Sequence, residues 1–357
     1  MANTPIKLLI AASGTGGHLF PAMALAQELP KYEIEWLGVS NRLETQLVPQ
    51  HYKLNTIAVK GFQEKFGFNT FRVLGELMAS VLQVYKLLQY GKFQGVFTTG
   101  GYIAAPALIA AKILGIPVIL HESNALPGKV TRFFGPWCHA VALGFQVAAQ
   151  YLPKAKTIYT STPVRPQFLD KNSINGLDLN IPESVPVIVV FGGSQGAVGI
   201  NKLVRECVHA WFAIGAYVVH LTGNNDPEAN SIHHSQYICM PFYENMAALL
   251  QRSSLAVSRA GAGSLTELAI CGTPAILIPY PFAAEDHQTY NARVFTEVCA
   301  GLYYKQSELT AEILQNKVLN LINSPTQLKQ MGEKAQKIAL VDSIKKLAKL
   351  VKEVVER

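Results

Sequence analysis

The sequence has little charge, few aspartates and no cysteine pair. Charged residues make up 15% of its 357 residues, against a usual share of about 25%, which excludes a disordered or acidic-tail protein. The five cysteines are odd in number and none is spaced as CxxC, so we expect no disulfide framework, no zinc ribbon and a reducing cytoplasm. With only five aspartates and no DxD, HExxH or GxSxG motif, the sequence predicts a site without a metal ion, another cofactor or a hydrolase nucleophile.

The sequence also lacks a hydrophobic run long enough to span a bilayer. Its most apolar stretch, residues 103–120, is shorter than the roughly 20 residues that a transmembrane helix needs. Lys112, Gly115 and Pro117 interrupt it. We therefore predict a buried helix, a tight turn and a short buried strand there. The N-terminal residues carry no charged region or cleavage site of a secretory signal, and are predicted to form the first core strand.

Short apolar runs alternate with helical patterns along almost the whole chain. The predicted strands cover residues 7–11, 34–38, 95–98, 117–121, 140–143, 157–159, 187–191, 216–221, 236–240, 255–258, 275–278 and 302–304. Such a pattern is typical of parallel sheets covered on both faces. A strand, a glycine-rich turn and a helix begin at Lys7 and again at Val187. We therefore predict an α/β protein with two doubly wound domains.

The predicted domains are residues 1–162 and 163–340, with a proline-containing linker over residues 161–183. A last helix over residues 341–357 has apolar side chains on one face and lysines elsewhere, as expected of a helix that packs on a core. It either completes the second domain or returns to the first. The net charge of +7 favours an anionic partner.

The first glycine loop, Gly14-Thr15-Gly16-Gly17-His18, joins a predicted strand to a predicted helix. Glycines let a ligand approach the backbone, and the free N–H groups at a helix start favour an anion. The loop matches neither the dinucleotide nor the P-loop fingerprint, so it is also explained as a tight turn that needs glycine. His18 lies where the positive end of the helix favours a neutral imidazole that can act as a base, or it is a structural histidine.

A second glycine loop over residues 192–196 places Ser194 before a helix, where its hydroxyl suits a phosphate or a helix cap. A third constellation over residues 258–267 offers two glycines and the hydroxyls of Ser264 and Thr266, which suit a diphosphate. Ser264 and Glu267 also match a capping box. Glu267 therefore has two interpretations, a cap for its own helix or a carboxylate that accepts both hydroxyls of a ribose.

Seven motifs occur in order over residues 14–292: GTGGH, TGGY, HESNALPG, PVR, FGGSQGA, SRAGAGSLTEL and DHQTYNA. Together they closely resemble the MurG family, the N-acetylglucosaminyltransferases of peptidoglycan synthesis. The resemblance implies two Rossmann-like domains facing across a cleft, the GT-B type. It also implies transfer of N-acetylglucosamine from UDP-N-acetylglucosamine to the muramoyl-pentapeptide lipid carrier, lipid I, giving lipid II. One departure is Ser161-Thr162, where the family commonly has Gly-Asn before Pro-Val-Arg.

The resemblance further implies a role for each matching residue. On the donor side, Ser194, Ser264, Leu265 and Thr266 would meet the diphosphate, Glu267 the ribose, Arg165 and the backbone near Tyr243 the nucleotide, and Asn124 and Gln288 the sugar hydroxyls. Thr15, Gly16 and Gly17 would lie against donor and acceptor, and His18, Tyr102 and Glu122 would line the acceptor side. The acceptor C4 hydroxyl would attack the anomeric carbon opposite UDP and invert it. We expect His18 to be the general base, with Glu122 as its rival or orienting partner.

A lipid acceptor requires a membrane surface, and residues 71–90 offer one. This predicted helix contains Leu74, Leu77, Met78, Val81, Leu82 and Tyr85, with Arg72, Lys86 and Lys92 as basic neighbours. It is explained equally well as a core helix or as a patch that dips into lipid beside anionic headgroups. With the lipid patch, the enzyme would be peripheral on the cytoplasmic face of the bacterial plasma membrane.

Two other functions fit parts of the pattern. A UDP-sugar 2-epimerase shares the two-domain architecture and would convert UDP-N-acetylglucosamine without an acceptor. A non-catalytic nucleotide-sugar-binding protein at the membrane would bind the donor and release no UDP. Nucleic-acid binding is not expected, because the basic residues are scattered and form no strip with aromatic residues.

Overall fold

The computed structural model of the protein describes residues 5–59, 68–193 and 196–356, without the side chains of residues 68–73. The chain divides into two compact units. Unit 1 comprises Met1–Val164 together with Asp342–Arg357, and unit 2 comprises Arg165–Val341. Each unit contains one parallel sheet with helices, which confirms the predicted α/β class with two Rossmann-like domains.

Unit 1 has a seven-stranded parallel sheet in the order β3-β2-β1-β4-β5-β6-β7. The strands are β1 (Ile6–Ala11), β2 (Tyr32–Val39), β3 (Lys53–Ile57), β4 (Gly95–Thr98), β5 (Val118–Glu122), β6 (Ala140–Leu143) and β7 (Thr157–Tyr159). The helices are α1 (Gly16–Glu28), α2 (Glu44–Leu47), α3 (Phe68–Gly91), α4 (Ala104–Leu114), α5 (Lys129–Phe134) and, at the C-terminus, α12 (Ser343–Val355), with 3-10 turns at Gly135–Trp137 and Gln146–Tyr151.

The central strands of unit 1 are largely apolar because both faces of the sheet are covered there. Leu9 of β1 packs into a core with α3 and α4, whereas its neighbours Leu8 and Ile10 pack into a second core with α1 and α12. Since successive side chains of a strand point to opposite faces, these are the two sides of one sheet. Leu347 and Val351 seat α12 in the second core, so the C-terminal helix packs in unit 1.

Unit 2 has a six-stranded parallel sheet in the order β10-β9-β8-β11-β12-β13. The strands are β8 (Val187–Phe191), β9 (Tyr217–Leu221), β10 (Tyr237–Met240), β11 (Leu255–Ser258), β12 (Ala275–Leu277) and β13 (Gly301–Tyr303). The helices are α6 (Val198–Ala213), α7 (Met246–Arg252), α8 (Ala262–Cys271), α9 (His287–Glu297), α10 (Ala311–Ile322) and α11 (Pro325–Ile338), with 3-10 turns at Pro166–Phe168, Ser173–Gly176, Ala284–Asp286 and Gln306–Glu308. Ile188 and Val190 of β8 pack with Trp211 of α6 in its core.

The apolar stretch over residues 103–120 folds as predicted into a helix, a turn and a strand. Helix α4 ends at Gly115, whose φ of 68° is the left-handed conformation that suits glycine at a helix C-terminus, and β5 follows. In the described part of the chain, no helix is both long and apolar enough to cross a membrane. Much of the predicted linker is packed rather than extended, because Gln251 and Asn245 bond to the backbone at Asp170, Ile174 and Gly176.

Candidate active site

The strand order of each sheet brings its glycine loops to one place. In unit 1 the order reverses between β1 and β4, and in unit 2 between β8 and β11. Doubly wound sheets bind ligands at the carboxyl ends of the strands at this reversal. The first glycine loop and the Thr99–Gly101 turn (residues 99–101) follow β1 and β4, while the second and third loops follow β8 and β11. The predicted loops therefore lie at the two switch points.

His18 lies in the first turn of α1 and is half-buried. Its Nδ1 is 2.8 Å from the carbonyl oxygen of Thr99, in the turn after β4. A carbonyl oxygen only accepts hydrogen bonds, so in the neutral imidazole Nδ1 carries the proton and Nε2 has the lone pair. The fold thus fixes the tautomer of His18 that a general base requires.

Several residues of the first glycine loop and of the segment after β4 have unused hydrogen-bonding capacity or exposed surface. The buried hydroxyls of Ser13 and Thr99 have no hydrogen-bond partner among the described residues. Thr15 is the N-cap residue of α1, and its side chain makes no cap hydrogen bond. Gly16 and Gly17 form the first turn, where N–H groups have no partner within the helix. Tyr102 is 42% exposed at the start of α4.

Glu122 lies at the end of β5, and both of its carboxylate oxygens are occupied. Oε1 accepts from the backbone N–H of Asn124 at 3.0 Å and from its side-chain amide at 3.2 Å. Oε2 accepts from the N–H of Gly128 at 3.0 Å and from the hydroxyl of Thr131 at 2.6 Å. The side chain is buried, so this geometry favours a role in shaping the loop over proton transfer from a substrate.

His121 anchors the same region from the core. It is completely buried, and its Nε2 lies 3.1 Å from the carbonyl oxygen of Ser161. Burial lowers the pKa of His121 to about 4, so the imidazole stays neutral. Ser161 has a φ of 59°, in the left-handed region that favours glycine. Ser161 is the first of the two residues, Ser161-Thr162, at which the sequence departs from the family pattern.

The third loop of unit 2 corrects the capping-box interpretation. Helix α8 has Gly261 as its N-cap residue, with no side-chain cap bond. Ser264 is therefore already inside the helix, and the Ser264–Glu267 capping box predicted from the sequence is wrong. The Thr266 hydroxyl donates to the carbonyl oxygen of Ala262 at 3.0 Å, and the N–H of Leu265 donates to Gly261 at 3.0 Å. Ser264 is half-buried at the helix start.

Glu267 faces Arg165 instead of capping its helix. Its Oε1 is 3.5 Å from Nη2 of Arg165, and the Glu267 side chain is 19% exposed. Burial raises the pKa of Glu267 to about 7, although the adjacent guanidinium opposes this shift. A carboxylate near its titration point beside an arginine is an unusual surface group, and such perturbed groups are enriched at functional sites.

A cavity borders Arg165. It has a volume of about 270 Å³, and its lining residues are Arg165, Gln167, Phe168, Glu244, Asn245 and Ala247. Tyr243 precedes this lining and is buried, with its hydroxyl bonded to the carboxylate of Asp178. Burial raises the pKa of Tyr243 to about 12. The structure thus brings together Arg165, Glu267 and the backbone next to Tyr243, three of the predicted nucleotide contacts.

Gln288 of α9 is tied to the third loop. Its Oε1 accepts from the N–H of Ala260 at 3.2 Å and from that of Tyr280 at 2.9 Å. Asn291, one turn later, donates to the carbonyl oxygen of Ala260 at 3.1 Å. Helix α9 therefore holds the loop before α8 by both its N–H and its C=O group. Ser194, the predicted phosphate contact of the second loop, lies outside the described residues.

A buried network behind the second loop was missed from the sequence. Arg205 of α6 binds Asp226 with two hydrogen bonds of 2.8 and 3.3 Å. Asn201 donates to Asp226 at 2.6 Å and to the carbonyl oxygen of Thr222 at 2.9 Å. A Cβ on Gly196 would lie 2.2 Å from that same carbonyl. No short motif indicates this network, because its members are distant in sequence.

Among the described residues, no group of His, Cys, Asp and Glu side chains is arranged to bind a metal ion.

Comparison with known families agrees with this arrangement. The family model for the glycosyltransferase family 28 N-terminal domain matches residues 8–143, and that for the C-terminal domain matches residues 187–351. The chain is 70% identical over 356 residues to a protein of Nostoc punctiforme named UDP-N-acetylglucosamine--N-acetylmuramyl-(pentapeptide) pyrophosphoryl-undecaprenol N-acetylglucosamine transferase, with all of both chains covered. The chain belongs to this transferase family. A similarly named protein of Gloeothece citriformis is 60% identical, and the match covers 99% of this chain and 97% of that one.

Solved structures support the same family. Acinetobacter baumannii MurG superposes with a TM-score of 0.80 at 26% identity, covering 98% of this chain and 100% of that chain. A putative UDP-N-acetylglucosamine 2-epimerase from Listeria monocytogenes superposes with a TM-score of 0.69 at 12% identity, covering 99% and 97%. At such low identity, the second likeness shows a shared fold alone.

Proposed function

We propose that this protein is an inverting glycosyltransferase that moves N-acetylglucosamine from UDP-N-acetylglucosamine to the C4 hydroxyl of the muramoyl-pentapeptide of lipid I, giving lipid II for peptidoglycan. The full-length identity of 70% to a transferase named for these substrates carries the proposal. The residue roles are those that the family resemblance implies, and the geometry of this chain supports them.

On the donor side, unit 2 supplies a pocket for UDP. The carboxylate of Glu267 suits the two ribose hydroxyls, and the cavity beside Arg165 suits the base. The first turn of α8 presents a helix N-terminus to the diphosphate, which gains negative charge as the sugar leaves. Gln288 keeps its amide N–H groups for a sugar hydroxyl, because the described contacts of its side chain use only Oε1.

On the acceptor side, His18 removes the proton. As the acceptor oxygen bonds to the anomeric carbon, the bond from that carbon to the β-phosphate oxygen breaks and UDP departs. The proton of the attacking hydroxyl passes to Nε2 of His18, the ring nitrogen that the Thr99 contact leaves unprotonated. A positioned base of this kind contributes about 10²–10⁴-fold to the rate. Glu122 shapes the neighbouring loop instead of accepting this proton.

The lipid acceptor is met at a membrane-facing surface on α3. Val81, Val84 and Leu88 of this helix are buried in the core, whereas Leu74, Met78, Leu82 and Tyr90 are 49–78% exposed. The helix thus has one core face and one apolar exposed face. Lys86 and Lys92 are exposed beside it, and the side chain of Arg72 lies outside the described residues. An exposed apolar face with basic neighbours suits an anionic bilayer.

UDP release tests the reaction. With UDP-N-acetylglucosamine and lipid I, we expect UDP and lipid II in equal amounts; with donor alone, we expect neither UDP nor an epimerised sugar. Conversion of the donor without acceptor would favour the epimerase. Donor binding without UDP release in the presence of lipid I would favour a non-catalytic protein.

Flotation with vesicles of phosphatidylglycerol and phosphatidylethanolamine tests the membrane surface. Met78→Glu and Leu82→Glu place a charge on the exposed face of α3 and should reduce flotation. Val341→Glu is the matched control, since Val341 is 64% exposed and Met78 60%, and it should float like the wild type. Unchanged flotation of the folded α3 variants would reject the surface.

A further inference from the structure

A buried carboxylate lies beneath the first glycine loop. Glu44 of α2 has no exposed surface. Its Oε2 accepts from the N–H of Gly14 at 3.1 Å, and its Oε1 accepts from the N–H of Val39 at 2.9 Å. Gly14 follows β1 and Val39 ends β2, so one side chain joins the carboxyl ends of two neighbouring strands. We propose that Glu44 is a positioning residue for sugar transfer, an inference that rests on the proposed function.

The local sequence explains how the carboxylate reaches this place. After β2 the chain turns back at Asn41, which has a φ of 62°; asparagine tolerates this left-handed conformation better than most residues. Helix α2 then begins at Glu44 and is followed by Val48, which is completely buried in the core. Val48 therefore anchors the short helix and sets the depth of the carboxylate.

Gly38 makes room for the Glu44 side chain. A Cβ on Gly38 would lie 2.8 Å from Cγ of Glu44 and 3.3 Å from its Oε1. Both distances are too short for a normal contact, so any larger residue would displace the carboxylate. A substitution at either Gly38 or Glu44 should therefore disturb the hydrogen bonds of the Glu44 carboxylate, and the two substitutions do so in different ways.

The loop that Glu44 holds carries the proposed base. Gly14 has a φ of 106°, a conformation that glycine adopts without steric cost, and its N–H is held by the Glu44 carboxylate at 3.1 Å. Only three residues separate Gly14 from His18, whose second fixed point is the 2.8 Å contact with Thr99. A shift of about 1 Å in the placement of a catalytic group can cost on the order of 10²-fold in rate.

The test is a steady-state comparison of wild type with Glu44→Gln. The glutamine keeps the size of the side chain but presents an NH₂ group to one of the two N–H donors, so the contact is lost on one side. We expect kcat to fall about 10- to 100-fold, while KM for UDP-N-acetylglucosamine stays within about twofold because the proposed donor contacts lie mostly in unit 2. Gly38→Ala should produce the same separation of kcat from KM, and it serves as the test variant if Glu44→Gln does not fold.

Glu33→Gln is the matched control. Glu33 also belongs to β2, but it is exposed and pairs with Lys7 at 2.8 Å, so this variant should keep both constants. A kcat within threefold of wild type in both folded test variants would overturn the positioning role. A parallel change in kcat and in KM for the donor would also overturn this role, because it would indicate a general loosening of the fold. A wild type that makes no lipid II would instead reject the proposed function itself.

Discussion

The two units begin with the same strand, glycine loop and helix but hold the loop in different ways. In unit 1, side chains bind the loop directly: Glu44 accepts the N–H of Gly14, and His18 donates to Thr99. In unit 2, the second glycine loop is supported by a buried hydrogen-bond network that lies behind it. Asn201 holds the carbonyl oxygen of Thr222, on which Gly196 packs, and the Arg205–Asp226 pair holds Asn201.

This difference matches the work proposed for each unit. A loop that carries a base needs a defined side-chain direction, which short direct hydrogen bonds supply. A loop that meets a diphosphate needs a stable backbone, which a buried network behind the loop supplies. Substitutions in unit 1 should therefore change turnover, and those in unit 2 should change donor binding and stability.

The largest effect is expected at His18. His18→Ala removes the proposed base while leaving unit 2 intact, so kcat should fall by about 10²–10⁴-fold with little change in KM for UDP-N-acetylglucosamine. Steady-state UDP release measures both constants. His51→Ala, at an exposed histidine of the same unit, should behave as wild type. Equal losses in turnover and donor affinity would indicate that His18 binds substrate instead.

Arg205→Met should mainly destabilise unit 2. Arg205 and Asp226 are 7% and 0% exposed at their side chains, so the variant leaves a buried carboxylate without its guanidinium. Such a loss typically costs about 3–5 kcal/mol of unfolding free energy. Denaturant unfolding should show it, and donor KM should rise more than kcat falls.

The control for Arg205→Met removes the stranded charge. Arg205→Met combined with Asp226→Asn has no buried carboxylate, while the asparagine can still accept the Asn201 bond. We expect this double variant to recover most of the lost stability. A double variant as unstable as the single one would mean that packing of the Arg205 stem, not charge pairing, is what unit 2 needs.

Donor binding should depend on pH through Glu267. In the proposed donor site, the ionised form of Glu267 accepts two ribose hydroxyls. Burial raises the pKa of Glu267 to about 7, so UDP affinity should rise about tenfold from pH 6 to pH 8. In the free protein we expect the opposite trend for stability: because folded Glu267 keeps its proton to higher pH than the unfolded chain, its contribution to stability should fall as pH rises from about 4.5 to 7. Titration calorimetry with UDP should find a smaller rise in affinity from pH 6 to pH 8 for Glu267→Gln, because in this variant only the phosphate of UDP titrates.

The fold was readable from the sequence where burial leaves a local pattern. β8, buried throughout, appears as an unbroken apolar run, and the Gly115 turn after α4 was predicted for the same reason. The edge strand β3 was missed because it has no apolar run. Its polar residues Lys53 and Asn55 bind the buried carboxylate of Glu35 in β2, a contact that the sequence pattern does not reveal. Edge strands need no apolar residues on both faces.

The site was readable only in part. Glycine loops announce themselves, since their conformations exclude most other residues. A buried carboxylate such as Glu44 does not, because its burial depends on N–H groups of two strands that meet only in the folded sheet. The capping-box prediction for Glu267 was wrong for a related reason: two matching residues do not fix where the helix starts, and α8 starts before Ser264.

The smallest effect on kcat is expected at Glu122. If it shapes a loop of unit 1 as Glu44 does, Glu122→Gln loses only part of a set of four hydrogen bonds, and kcat should fall by less than about tenfold. The pH profile of kcat should keep its wild-type shape, because the proposed base is still present. If Glu122 were the base, glutamine could not accept the proton, and the loss would approach that of His18→Ala. Measuring kcat against pH for both variants therefore decides between the two residues. The pH dependence of kcat is lost only in the variant that replaces the general base.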